Sequence, residues 1–203
     1  MKQMGTGRAY TIKELASYSF LLEHFYIVDE TTSMTKQDLN GTKLVTMDLS
    51  AKLGKEEPLV LIYHTHGSET YKKVNGKEGS VIEVGTALTK ELENVYGIKT
   101  VHDKSVYDMV DGQLDRNAAY NFAGDSVEAA LRKNPSVKVV IDLHRDSVEN
   151  NIHLRTKVNG KSAAQIMFVN GVSRIASKGD SGYLYNPNNE ENLAFSLQMQ
   201  LLC

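Results

Sequence analysis

Little in this chain of 203 residues assigns it at first sight. Its single cysteine is Cys203, the last residue, which leaves no disulfide framework and no thiolate metal set. Any metal would have to be held by histidine and carboxylate. No run of 18 apolar residues exists, and the start MKQMGTGRAY lacks the charged-then-apolar layout of a secretory leader. As written, the sequence is expected neither to span nor to address a membrane. Charge of one sign is also missing: 23 Lys and Arg against 25 Asp and Glu leave a net charge of −2, with the lysines scattered, so no nucleic-acid partner is expected. Internal repeats and low-complexity tracts are absent as well. What remains, 41% hydrophobic and 24% charged, is the profile of one globular domain, or one domain with appendages, long enough for a sizeable core.

Thr11-Ile-Lys-Glu14 has the form of a capping box, and Ile12, Leu15, Phe20 and Leu22 suggest a short helix before the extended FYIVDETTSM. A linker, TKQDLNGTKLVTMDLSAKLGKEE, runs up to Pro58. This gives an expected division into a lead-in over 1–57 and a main domain over 58–203. LVLIY after Pro58 reads as a buried strand. Val81, Val84, Leu88, Leu92 and Val95 recur at spacings of three and four and predict a helix over 80–96, with Gly97 as its stop. Ile98 to Val101 gives a short strand. Ala119, Phe122, Ser126, Val127, Ala130 and Leu131 predict a second helix over 115–133, ended by Asn134-Pro135, and Val137 to Leu143 a further buried strand. Alternating strands and helices predict an α/β fold, a mainly parallel sheet with helices on both faces. Beyond it, Ile152–Val158 and Ala163–Val169 flank Asn159-Gly160, the pair favoured in a type I′ hairpin, and ENLAFSLQMQLL reads as a last helix.

Two strands end alike. LVLIY runs into His64-Thr-His66-Gly-Ser-Glu69, and VKVVIDL into His144-Arg-Asp146. In a parallel sheet these ends share an edge, so His66, Glu69 and His144 can meet, and two imidazoles with one carboxylate form the ligand set of a catalytic zinc. Spacing alone leaves a solvated polar loop equally open. Asp142 and Asp146 could orient His144, whereas His24, His102 and His153 read as ordinary structural or loop residues. A serine-hydrolase reading built on Ser68 or Ser147 lacks the Gly-x-Ser-x-Gly elbow. A metallo-carboxypeptidase-like peptidase is a third reading, since His-x-x-Glu with a distant His also suits it.

The segments YHTHGSETY, VIEVGTALTKELENVYGIKTVHDKSVYD, NPSVKVVIDLHRDS, AQIMFVNG and NEENLAFSLQMQ, in this order and spacing, resemble the stage II sporulation protein P (SpoIIP) family. The resemblance implies a zinc-dependent N-acetylmuramoyl-L-alanine amidase related in fold to LytC-type cell-wall amidases. Such a protein thins septal peptidoglycan during engulfment and is also described as cutting the stem-peptide cross-link. It implies Zn2+ as cofactor, an extracytoplasmic place in the septal or intermembrane space, and work beside a SpoIID-like transglycosylase and a SpoIIM-like membrane protein. His66 resembles the first zinc ligand and His144 the later one, with Glu69 ranked ahead of Glu78 as the acidic ligand. His64 would then stand on the rim, in a catalytic role, orienting water or substrate.

The resemblance also implies a final strand carrying the general-base glutamate, whereas this sequence ends at Leu202-Cys203. The C-terminal part of the family fold is therefore expected to be missing. The alternatives are Glu69 or Glu190/Glu191 as base, or a catalytically silent peptidoglycan-binding or scaffold domain.

Overall fold

Val60, Leu61 and Ile62 are sealed from water as a continuous apolar run, the condition of a strand covered on both faces. In the computed structural model, which describes residues 8–52, 56–72, 78–149, 151–182 and 185–202, this run begins β1 (Val60–Tyr63). β1 lies at the centre of a three-stranded parallel sheet of order β2-β1-β5, with β2 at Thr100–His102 and β5 at Val139–Asp142. The register sets Ile62 against His102 and Tyr63 against Asp142. Around the sheet the chain divides into two compact units, Ala51–His153 and the combination of Met1–Ser50 with Leu154–Cys203.

In the sheet unit, β1 and β2 are joined by α4 (Val81–Tyr96), and β2 and β5 by the short hairpin β3 (Met109–Val110) and β4 (Gln113–Leu114) followed by α5 (Arg116–Lys133). Ser80 and Glu83 cap the start of α4 reciprocally, and Gly97, at φ +67°, closes its end in the left-handed conformation that glycine tolerates. Asp115 accepts the Asn117 and Ala118 amides at the start of α5. The α/β class and both helices follow the sequence pattern, but the buried faces are narrower than the periodicity suggests. α4 buries Val81 and Gly85, α5 buries Ala119 and Ala123, and Val84, Val95 and Phe122 are exposed.

The other unit holds α1 (Ile12–Leu15), α2 (Tyr18–His24), α3 (Gly41–Thr46), the hairpin β6 (Arg155–Val158) and β7 (Lys161–Ala164), the small hairpin β8 (Arg174–Ile175) and β9 (Gly179–Asp180), and α6 (Asn189–Leu202). Asn159 and Gly160 take the positive φ values of a type I′ turn, as their dipeptide predicts. Three differences from the sequence expectations stand out. The stretch taken as linker contains α3, capped by Asn40 and burying Leu44, with Leu39 buried just ahead of it. Residues 165–169 do not continue β7, since the ladder ends where its partner does, and Ile166 and Val169 are 75% and 85% exposed. The lead-in also groups with residues 154–203, whereas the sequence division joined 154–203 to the sheet. Helices of four to seven residues cannot stand alone, and here Leu15, Leu21, Leu39 and Leu44 share one core with Leu193, Ala194 and Leu197. Among the described residues no helix is long and apolar enough to cross a membrane.

Gly41 marks the tightest point of this core, where an added Cβ would lie 1.7 Å from the Leu15 carbonyl oxygen. Gly41→Ala is expected to cost about 1–3 kcal/mol, read as a lowered urea midpoint; an unchanged midpoint would show that α1 and α3 are not so closely packed. Arg174 ties the unit together by donating to Asp38. Burial pushes the Asp38 carboxyl up, but hydrogen bonds from Arg174 and then Thr35 outweigh it and hold it below the usual aspartate range. A depressed carboxyl contributes stability that is present above its unfolded pKa of about 3.9 and lost as pH falls through the folded value. Acid unfolding of Asp38→Asn should therefore be less steep below about pH 4 than that of the unsubstituted chain, with equal slopes counting against the ion pair.

Candidate functional site

From β1 the chain passes first to β2 on one side and later to β5 on the other, so the carboxyl end of β1 is the point where the strand order reverses. Crevices in open α/β sheets form there. The residues at this end are polar and yet almost sealed: His64 is 0%, Thr65 1%, His66 7% and Glu69 6% exposed. His64, Thr65 and Glu69 are each held by a hydrogen bond to another element. Thr65 donates its amide to Asp142 Oδ1 at 2.9 Å and its hydroxyl to Oδ2 at 2.6 Å, fastening the loop to the end of β5. Ser68 donates its amide and hydroxyl to the fully buried Asp108. That hydroxyl is directed to a carboxylate, not to an imidazole. Gly67 lets the loop after β2 approach, since a Cβ there would sit 2.9 Å from the Ser105 carbonyl oxygen.

His66, Glu69 and His144 are brought into one cluster. Glu69 Oε2 accepts the Arg145 amide at 2.8 Å and lies 3.8 Å from His144 Nδ1. The His66 and His144 rings meet edge to face at 5.2 Å between centroids. His144 Nε2 is 2.9 Å from Asp142 Oδ2. This hydrogen bond raises the His144 pKa above its usual value, with burial opposing and the Asp142 and Glu69 charges assisting. Burial pushes Asp142 up, but the bonds from His144 and Thr65 hold it below the ordinary carboxylate range. Tyr63 beside them is pushed up to about 12, by burial first and then by the Asp142 charge.

Other residues fall elsewhere. Glu78 is exposed and accepts from Thr70 Oγ1 at 3.0 Å, so the carboxylate beside His144 is Glu69. Glu190 pairs with Lys43 in the other unit. His24 stacks on Phe20 within α2, His153 is exposed, and Asp146 is exposed and accepts the Ser147 amide. His64 is not on the rim. It is fully buried, with Nδ1 2.9 Å from the Leu143 carbonyl oxygen and Nε2 2.9 Å from His102 Nε2, so neither nitrogen is left for water or substrate. His102, read as structural from sequence, is its partner, and burial holds its pKa low.

Three residues escaped the sequence reading. Asp108 lies 3.9 Å from His66 Nδ1, Arg116 Nη1 is 3.5 Å from Glu69 Oε1, and the Tyr120 ring meets His66 edge-on at 5.3 Å. Arg116 and Tyr120 are four apart on one face of α5, a spacing the sequence does contain. Asp108 lies in the loop after β2, and the strand-end rule applied there too would have pointed to that loop.

Two imidazoles and a carboxylate are the donor types of a catalytic zinc set. Ligand atoms about 2.1 Å from a tetrahedral ion lie about 3.4 Å apart, near the 3.8 Å between His144 Nδ1 and Glu69 Oε2. His66 Nδ1 is buried without a hydrogen-bond partner and faces Asp108. Among the described residues no group of three or more His, Cys, Asp or Glu is placed so that it could hold a metal ion. The fit to zinc is one of donor type, and of spacing for the His144–Glu69 pair alone.

Comparison with known proteins turns this geometry toward a family. The chain matches the family described as Stage II sporulation protein P (SpoIIP) over residues 11–203. It is 28% identical over 127 residues to "Stage II sporulation protein P" of Bacillus subtilis (strain 168), an alignment covering 57% of this chain and 31% of that protein. The matched part is thus less than a third of the relative's length. No solved structure matches the chain. A match that takes in every strand of the sheet and the whole cluster around His66, Glu69 and His144 places the chain in the stage II sporulation protein P family.

Proposed function

We propose that this chain is a zinc-dependent peptidoglycan hydrolase serving sporulation, which cleaves the amide between N-acetylmuramic acid and the L-alanine of the stem peptide. The observation that carries the reading is the meeting of His66, Glu69 and His144 at the shared edge of β1 and β5, from positions 78 residues apart at the extremes (144 − 66). Family membership supports the sporulation role. The resemblance to the stage II sporulation protein P family supplies the amide, an extracytoplasmic setting, and SpoIID-like and SpoIIM-like partners.

His66 would hold the ion through Nε2, with Asp108 on its Nδ1 side, and His144 through Nδ1, with Asp142 on Nε2. Carboxylate partners of this kind fix the tautomer and raise the basicity of the ligand nitrogen. Glu69 would supply the carboxylate, kept in place by the Arg145 amide. When bound, zinc supplies polarisation of an amide carbonyl and a water acidified toward neutral pH. Arg116 and Tyr120, both more than half exposed, form the outer wall, a cation and a phenol ring facing whatever is seated above the histidines. Thr65 and Ser68 of the loop beneath are each held by two hydrogen bonds to a carboxylate, which orients the loop before substrate arrives.

The chain should bind zinc one to one, and His66→Ala or His144→Ala should abolish it. Asp142→Asn, which leaves all three ligands in place, should weaken binding about 10- to 100-fold. Equal zinc affinity in all three variants, by competition against a chelating dye, would sink the assignment of ligands. The reaction itself is tested on purified sacculi: the expected product is a stem peptide with a free L-alanine amino group, lost on zinc removal. Release of single amino acids would indicate a peptidase, and retention on sacculi without product a binding domain.

A further inference from the structure

His64 and His102 are absorbed by none of the chemistry above, yet they bond to each other in the sheet unit, with His64 at 0% exposure. His102 is the last residue of β2, His64 follows β1, and Leu143 follows β5. The backbone ladder ends at this level, with Leu143 N donating to the Tyr63 carbonyl and Asp103 N to that of Ile62. One step further, the two imidazoles continue it from side chains. A carbonyl only accepts, so the 2.9 Å contact to the Leu143 oxygen places a proton on His64 Nδ1. Neutral His64 then carries a lone pair on Nε2, and the 2.9 Å contact between the two Nε2 atoms requires the proton of His102. The opposite order needs an imidazolium in a site with 0% exposure, a costly burial of charge. Gly85 of α4 roofs the bond: a Cβ there would stand 2.6 Å from His102 Nε2 and 2.8 Å from His64 Nε2.

We propose that His64 and His102 are a positioning pair whose one-way hydrogen-bond chain, His102 to His64 to the Leu143 carbonyl, laces the three strand ends and sets the place of His144. Neither residue touches substrate. The effect on zinc rests on the function proposed above, whereas the proton placement does not.

Long-range nitrogen–proton correlation NMR on the zinc-free chain tests the placement. His64 is expected as the Nδ1–H tautomer and His102 as the Nε2–H tautomer; His64 found with its proton on Nε2, or doubly protonated at neutral pH, overturns the proposal. His102→Leu removes the donor, whereas His102→Gln keeps an N–H. The leucine variant should shift the His144 ring resonances and weaken zinc binding about tenfold, and glutamine should restore most of both. A folded leucine variant with unchanged His144 resonances refutes the positioning role. Should leucine prevent folding, the tautomers and the glutamine variant decide. Failure of the chain to take up zinc would count against the function, while the His144 resonances would still report on the pair.

Discussion

The carboxylate of Asp142 is the interaction on which the site depends. It accepts the amide and hydroxyl of Thr65 and the Nε2 proton of His144, so one side chain joins the loop after β1 to the segment after β5. Parallel pairing of Tyr63 with Asp142 makes this possible, because it brings both strands to their ends at the same level. Charge-assisted bonds of this kind are stronger than neutral ones, and their effect shows in the Asp142 carboxyl, held low although burial acts to raise it. Without that register His66 and His144 would have no fixed relation.

The same solution recurs along the loop. Burying a carboxylate is unfavourable unless its lone pairs are met, and here the buried Asp108 and Glu69 and the half-buried Asp142 are each met by a backbone amide from elsewhere in the sequence, those of Ser68, Arg145 and Thr65. These bonds cross between the loops after β1, β2 and β5, so no loop can shift alone. Gly67 and Gly85 serve this closeness by leaving out a Cβ where a carbonyl and two imidazoles pass. Rigidity here follows from satisfied polar burial rather than from apolar packing.

Most of the sheet unit was legible in the sequence. β1 is a continuous apolar run, α4 has its capping box and Gly97, and the strand-end rule named His66, Glu69 and His144 together. What was not legible has physical causes. α3 hides in a polar stretch because it is only six residues long and buries only Gly41 and Leu44, too few apolar positions to show a period. The grouping of the lead-in with α6 depends on contacts such as the Gln198 amide on the Leu44 and Met47 carbonyls, which no local pattern encodes. His64 and His66 would share a face if strand alternation continued, but the chain turns from Thr65 onward and sends one ring under α4 and the other toward His144. His102 looked ordinary because a single histidine at a strand end gives no hint of a partner 38 residues away.

Proton placement separates the histidines that brace the sheet from those that face the site. An acceptor fixes one nitrogen of His64 and one of His144: the Leu143 carbonyl and the Asp142 carboxylate. The difference lies in the second nitrogen. In His64 it is consumed by His102, and the chain of bonds then ends at His102 Nδ1, a buried atom without a partner. That atom carries a lone pair in this arrangement, beneath α4. In His144 the second nitrogen faces the Glu69 carboxylate at 3.8 Å, an arrangement that favours a positive charge between them, whether as a proton on the ring or as a cation in its place. A buried imidazole near a carboxylate is thus not by itself a sign of a reactive centre. His144 has its far nitrogen fixed by Asp142 and its near nitrogen turned toward the Glu69 charge, whereas both nitrogens of His64 are taken up by neutral partners.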